Sequence, residues 1–125
     1  MKRREKITDL VLFSYTIYFL KGALYFMRKE SKFQSDLIKE LKERFPGCII
    51  TKMNANHIQG IPDLLILYNE KWATLEIKKS EDEPHQPNQD YYVEKMNKMS
   101  FSAFIYPENK EEVLNGLQSA LERNR

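Results

Sequence analysis

Two apolar runs joined by a short polar turn constrain this chain most. The first is Ile61-Pro62-Asp63-Leu64-Leu65-Ile66-Leu67-Tyr68 and the second is Ala73-Thr74-Leu75-Glu76-Ile77-Lys78. Each is strand-length, and Tyr68-Asn69-Glu70-Lys71-Trp72 between them is turn-like, so the pair reads as an antiparallel hairpin. Side chains alternate across a strand, so Glu76 and Lys78 point to one face. Antiparallel folding returns that end of the second strand to the start of the first, where Asp63 lies. Asp63, Glu76 and Lys78 are therefore expected to meet at one end of a sheet.

Two carboxylates at one point repel unless a cation neutralises them. Oxygen ligands with open positions suit Mg²⁺ or Mn²⁺, which keep waters and accept phosphate oxygens. A neighbouring lysine orients or deprotonates an attacking water, or stabilises charge developing on phosphorus. Such a set suits phosphodiester hydrolysis. Taken singly, Pro-Asp is ordinarily a turn and Glu-x-Lys a solvated strand edge. Their order, spacing and placement on apolar runs favour the joint reading.

Pro62-Asp63, twelve intervening residues and Glu76-Ile77-Lys78 resemble the PD-(D/E)xK nuclease superfamily. Gly60 before Ile61-Pro62-Asp63 is similar to the G-x-P-D form of its VRR-NUC-like and phage Holliday-junction-resolvase-like branches. The resemblance implies that Asp63, Glu76 and the Ile77 backbone carbonyl hold the metal, and that Lys78 is catalytic. It also implies a further acid on the first core helix. The segment Arg28 to Phe45 is helical in pattern, with Phe33, Leu37, Ile38, Leu41 and Phe45 on one stripe. Pro46-Gly47 ends it. Glu30, Asp36, Glu40 and Glu43 are the candidates. Glu30 extends the apolar stripe, and Glu30-x-x-x-Gln34 resembles the first motif of the VRR-NUC-like branch, so Glu30 is preferred as metal ligand and Glu40 is second. A helix-start acid favoured by the helix dipole is the plainer account of Glu30.

Cys48-Ile49-Ile50-Thr51-Lys52-Met53 reads as the first strand, with Cys48 buried. The polar stretch Asn54 to Gly60 is a loop at the mouth of the site. Lys52, His57, Lys79 and Gln86 are candidate DNA contacts, although each also fits a solvated surface. Lys79 to Asn88 is a polar, proline-broken loop. Gln89 to Met99 is a helix with Asn88 as N-cap and Tyr92, Val93, Met96 and Met99 toward the core. Gln89 resembles the glutamine that many such nucleases place beside the catalytic lysine. Phe101 to Tyr106 is a last strand, and Pro107-Glu108 opens a final helix.

The order helix, three strands, helix, strand, helix matches the αβββαβ core implied by the resemblance. The expected fold class is α/β, restriction-endonuclease-like, a mixed central sheet flanked by helices with an extra C-terminal helix. A length of 125 residues fits one domain, here 27–125. Two histidines and a single cysteine argue against a zinc site and against an internal disulfide, which fits a reducing cytoplasm. A net charge of +2 leaves any phosphate binding to local basic clusters.

Residues 1–26 form a hydrophobic extension. Lys2-Arg3-Arg4-Glu5-Lys6 followed by the apolar Leu10 to Leu20 resembles a leader, but no cleavage site is clear. The stretch to Met27 is long enough to span a membrane, but Lys21-Gly22 interrupts it, so a membrane partner is not expected and a membrane anchor over residues 10–26 is an alternative that is not favoured. Codons for Lys21-Gly22-Ala23 can resemble a bacterial ribosome-binding site ahead of Met27, so a start at Met27 is the favoured expectation and a packed helix the alternative.

The resemblance implies a Mg²⁺- or Mn²⁺-dependent DNA endonuclease of phage or prophage type. Branched DNA such as a Holliday junction is its implied substrate, a homodimer its working form and the host cytosol its location. A non-catalytic nucleic-acid-binding or inhibitory module on the same fold is the alternative, and retention of Asp63, Glu76 and Lys78 argues against it.

Overall fold

A computed structural model describes residues 2–123, with side chains for 9–25 and 27–123. Met1 and the side chains of the basic start Lys2 to Lys6 lie outside the described residues. The chain divides into two compact units, Met1–Lys32 and Phe33–Arg125.

The first helix, α1, spans Lys2–Arg44, far longer than the expected segment from Arg28. No proline occurs before Pro46. Gly22 disfavours a helix by only about 1 kcal/mol relative to alanine and does not stop it. The helix ends where Pro46 removes a donor and Gly47 turns at φ 87°.

Four strands follow: β1 (Ile49–Lys52), β2 (Leu64–Tyr68), β3 (Lys71–Ile77) and, after α2 (Gln89–Met99), β4 (Phe101–Ile105). They lie in the order β1-β2-β3-β4. The β1–β2 and β2–β3 pairs are antiparallel, and β3–β4 is parallel. A two-residue turn joins Tyr68 to Lys71, and Asn69 takes φ 55°, which asparagine tolerates. A 3₁₀ turn at Pro107–Asn109 leads into α3 (Lys110–Glu122).

Strand β3 is inner and buried on both faces from Ala73 to Ile77, as a strand covered on each side must be. Ala73, Leu75 and Ile77 join Leu37 and Leu41 of α1, Phe45 just after it, Leu64 and Ile66 of β2, Ile105 of β4 and Leu114, Leu117 and Leu121 of α3 in one core. Thr74, Glu76 and Lys78 face the other way. There Thr74 Oγ1 donates to Ser102 Oγ at 2.7 Å, and Met96 and Gln89 of α2 meet this face. The two helical layers therefore divide the strand's alternate positions between a hydrocarbon core and a polar site.

Three local expectations are corrected. Cys48 precedes β1 and is half-buried, because β1 is an edge strand whose outer residues meet solvent. Met99 is 67% exposed because it lies in the last turn of α2, where the chain leaves for β4. Asn88 occupies the N-cap position at φ 71° and makes no side-chain capping bond. Its backbone geometry, not its side chain, sets the start of α2.

Candidate active site

The β2–β3 register pairs Leu64 with Leu75, so Asp63 stands one step on, opposite Glu76. Two bonds hold it there. Its carbonyl accepts from the Met53 amide at 2.8 Å, and its carboxylate Oδ2 accepts from the Ile77 amide at 2.9 Å. The preceding Pro62 is fully buried, and Gly60 turns at φ 90°. The chain between Gly60 and Asp63 is thereby fixed on both sides.

Glu76 and Lys78 are both almost fully buried, at 3% and 4% exposure. Charged groups are rarely buried without partners. Gln89, the first residue of α2, supplies them. Its Nε2 donates to Glu76 Oε1 at 2.7 Å, and its Oε1 accepts from Lys78 Nζ at 2.6 Å. The same Oε1 accepts the Gln86 amide at 2.7 Å, and Lys78 Nζ also donates to the Pro84 carbonyl at 3.3 Å. The amide orientation of Gln89 is thus set by a cation and an N–H on one side and a carboxylate on the other. The loop from Lys79 to Asn88 closes around it, with Glu83 accepting the Lys79 amide at 2.7 Å.

Glu76 Oε2 is buried and has no hydrogen-bond partner. Burial first, and the neighbouring Asp63 carboxylate second, push the Glu76 carboxyl up to about 8, with Lys78 opposing. A buried, unsatisfied carboxylate oxygen beside a second carboxylate is the environment a bound cation relieves. Asp63, Glu76 and the Ile77 carbonyl therefore fit a hard divalent ion by donor chemistry. Among the described residues, no group of three or more His, Cys, Asp or Glu side chains stands ready to hold a metal, so this site offers two acids.

Glu30 is half-buried on α1 and belongs to the Met1–Lys32 unit. Glu40 is committed elsewhere, to Lys110 at 3.0 Å and Arg44 at 3.4 Å. Lys52 and His57 are exposed on β1 and the following loop. Lys79 sits next to Lys78 with its Nζ 4.0 Å from Glu83, and Gln86 is exposed on the closing loop. Two participants escaped sequence reasoning. The Pro84 carbonyl has no side-chain signature. Asn88 gave a misleading one, because its type suits an N-cap as well as a left-handed backbone.

A solved structure described as a VRR_NUC domain superposes with a TM-score of 0.52 and 25% identity, over 70% of this chain and 95% of that one. The fold is VRR-NUC-like, a PD-(D/E)xK-type nuclease fold. That likeness suggests nuclease activity. No family model and no curated protein matches the sequence.

Proposed function

We propose that the chain is a Mg²⁺- or Mn²⁺-dependent DNA endonuclease acting at Asp63, Glu76 and Lys78. One observation carries the reading: a buried Glu76 with an unsatisfied oxygen, opposite Asp63 and bridged by Gln89 to Lys78. A structural ion pair would bond the lysine directly to the carboxylate. Here the amide of Gln89 stands between them, leaving Glu76 Oε2 for another ligand.

Asp63, Glu76 and the Ile77 carbonyl would hold the metal, which supplies an activated water and charge neutralisation on the scissile phosphate. Lys78, held by Gln89 and Pro84, orients that water and stabilises the negative charge growing on the phosphate oxygens. Hydrolysis adds water across one P–O bond, leaving a phosphate on one product end and a hydroxyl on the other. Glu30 supplies a further acid from α1, with Glu40 second to it. Lys52, His57, Lys79 and Gln86 contact the DNA backbone.

The substrate we favour is branched DNA, cut as a Holliday junction is, by a homodimer whose two sites make paired incisions. The resemblance of Gly60-Ile61-Pro62-Asp63 to phage resolvase-like enzymes supports this, together with a phage or prophage origin. The test incubates the full chain with a labelled four-way junction and a matched linear duplex, in Mg²⁺, Mn²⁺ or EDTA. Metal-dependent cutting that favours the junction is expected. Equal cutting of both DNAs would remove the structure preference, and no cutting by folded protein would overturn the enzyme.

A further inference from the structure

We propose that residues 10–27 cross a lipid bilayer and tether the chain to a membrane. This inference stands apart from the nuclease reading and rests on α1 alone.

Among the described residues, the large apolar side chains of this stretch are exposed, among them Leu10, Leu12, Phe13, Tyr18, Phe19 and Met27. Exposure of single hydrophobic residues is ordinary, but a contiguous surface of this kind marks an interaction site. Its distribution decides which kind. Leu10 to Phe13 are four consecutive residues, and so are Ile17 to Leu20. A helix turns once in about 3.6 residues, so each set covers the whole circumference. A second copy of the helix would cover one stripe and leave the rest in water. A helix lying in the membrane surface needs a polar face, which this stretch lacks. A helix apolar all round is satisfied by a medium that surrounds it.

Length and flanks agree. The 10–27 stretch is one unbroken part of α1, and at about 1.5 Å per residue it spans ~27 Å, close to the ~30 Å hydrocarbon core of a bilayer. Mean hydropathy over its apolar window is 1.5. Lys2, Arg3, Arg4 and Lys6 precede it, and Arg28, Lys29 and Lys32 follow it, placing positive charge at both headgroup layers. Thr16 Oγ1 donates to the Leu12 carbonyl at 2.9 Å, which satisfies that hydroxyl within the helix. Lys29 Nζ lies 4.8 Å from the Tyr25 ring centre, a cation–aromatic pair suited to the interface. Lys21 is the one charge inside the stretch. It lies within about two turns of the Arg28 flank, so its long side chain can reach toward the headgroups.

The test uses the full chain in bacterial membranes and in vesicles of phosphatidylethanolamine and phosphatidylglycerol. The chain is expected to stay in the membrane pellet through alkaline carbonate and to float with vesicles. The double substitution Phe13→Lys and Phe19→Lys should release it, with its circular dichroism retained. Replacing Arg3 and Arg4 by glutamine should leave carbonate resistance intact, because the apolar span holds it. Recovery of the full chain in the supernatant, as a monomer or as an oligomer, would overturn the proposal. So would a native intact mass that begins at Met27 or shows cleavage after Ala23.

Discussion

A Cβ added to Gly60 would lie 2.6 Å from both the carbonyl carbon and the Cβ of Asn88. This contact joins the segment that carries Asp63 to the residue immediately before Gln89. Both residues hold positive φ, Gly60 at 90° and Asn88 at 71°. The glycine of the G-x-P-D pattern therefore does more than turn the chain. It lets the start of α2 approach closely enough for Gln89 to reach Glu76 and Lys78.

Gly60→Ala should consequently damage the site from outside it. The positive φ alone disfavours alanine by about 1–3 kcal/mol, and the backbone of Asn88 must also shift. Lower melting temperature together with a fall in kcat is the expected outcome. Full stability and full rate in this variant would show that the contact is not needed.

Gln89→Ala removes the bridge between Glu76 Oε1 and Lys78 Nζ. A loss on the order of 10–100-fold in metal affinity or rate is expected, as for other residues that orient ligands. Gln89→Glu should do worse, because it adds a third carboxylate beside Glu76. Calorimetric Mn²⁺ titration of the three proteins reads the order directly.

Without metal, stability should fall with rising pH. The Glu76 carboxyl moves from its ordinary 4.5 to about 8 in the fold. Between those values the folded chain keeps a proton that the unfolded chain has released, so unfolding becomes easier as pH rises. The stabilisation is complete below the lower value and lost through the upper one. Melting curves from pH 5 to 8.5 in EDTA should show this slope. Glu76→Gln should reduce the slope and raise the melting temperature at pH 8. Mg²⁺ or Mn²⁺ should offset it in the unsubstituted chain by favouring the ionised carboxylate.

Glu30→Ala should weaken metal use more than Glu40→Ala does. Glu40 is bonded to Lys110 and Arg44, and its loss should lower stability by about 0.5–1 kcal/mol. The reverse ranking in metal titrations of cleavage would move the helix acid to Glu40.

The hairpin was legible because β2 and β3 are apolar runs with a short turn and a fixed alternation. Once those are read, Asp63, Glu76 and Lys78 follow at one end. The buried stripe of Leu37, Leu41 and Phe45 was legible for the same reason, at helical period. What escaped lies in contacts between distant segments. Nothing local marks Gly60 as the neighbour of Asn88, or the Pro84 carbonyl as a partner of Lys78. The length of α1 was legible only in part: a packed helix over residues 1–26 was the alternative expectation, but nothing in the pattern joined it to the segment from Arg28.

Single-turnover cleavage of a labelled junction in Mg²⁺, comparing the full chain with Asp63→Asn, Glu76→Gln and Lys78→Met, tests the central claim most directly. Each variant should lose about 100-fold or more while melting cooperatively, as expected when a metal ligand or proton-transfer group is removed. Cleavage at the full rate by any of the three would contradict the assignment of catalysis to this site.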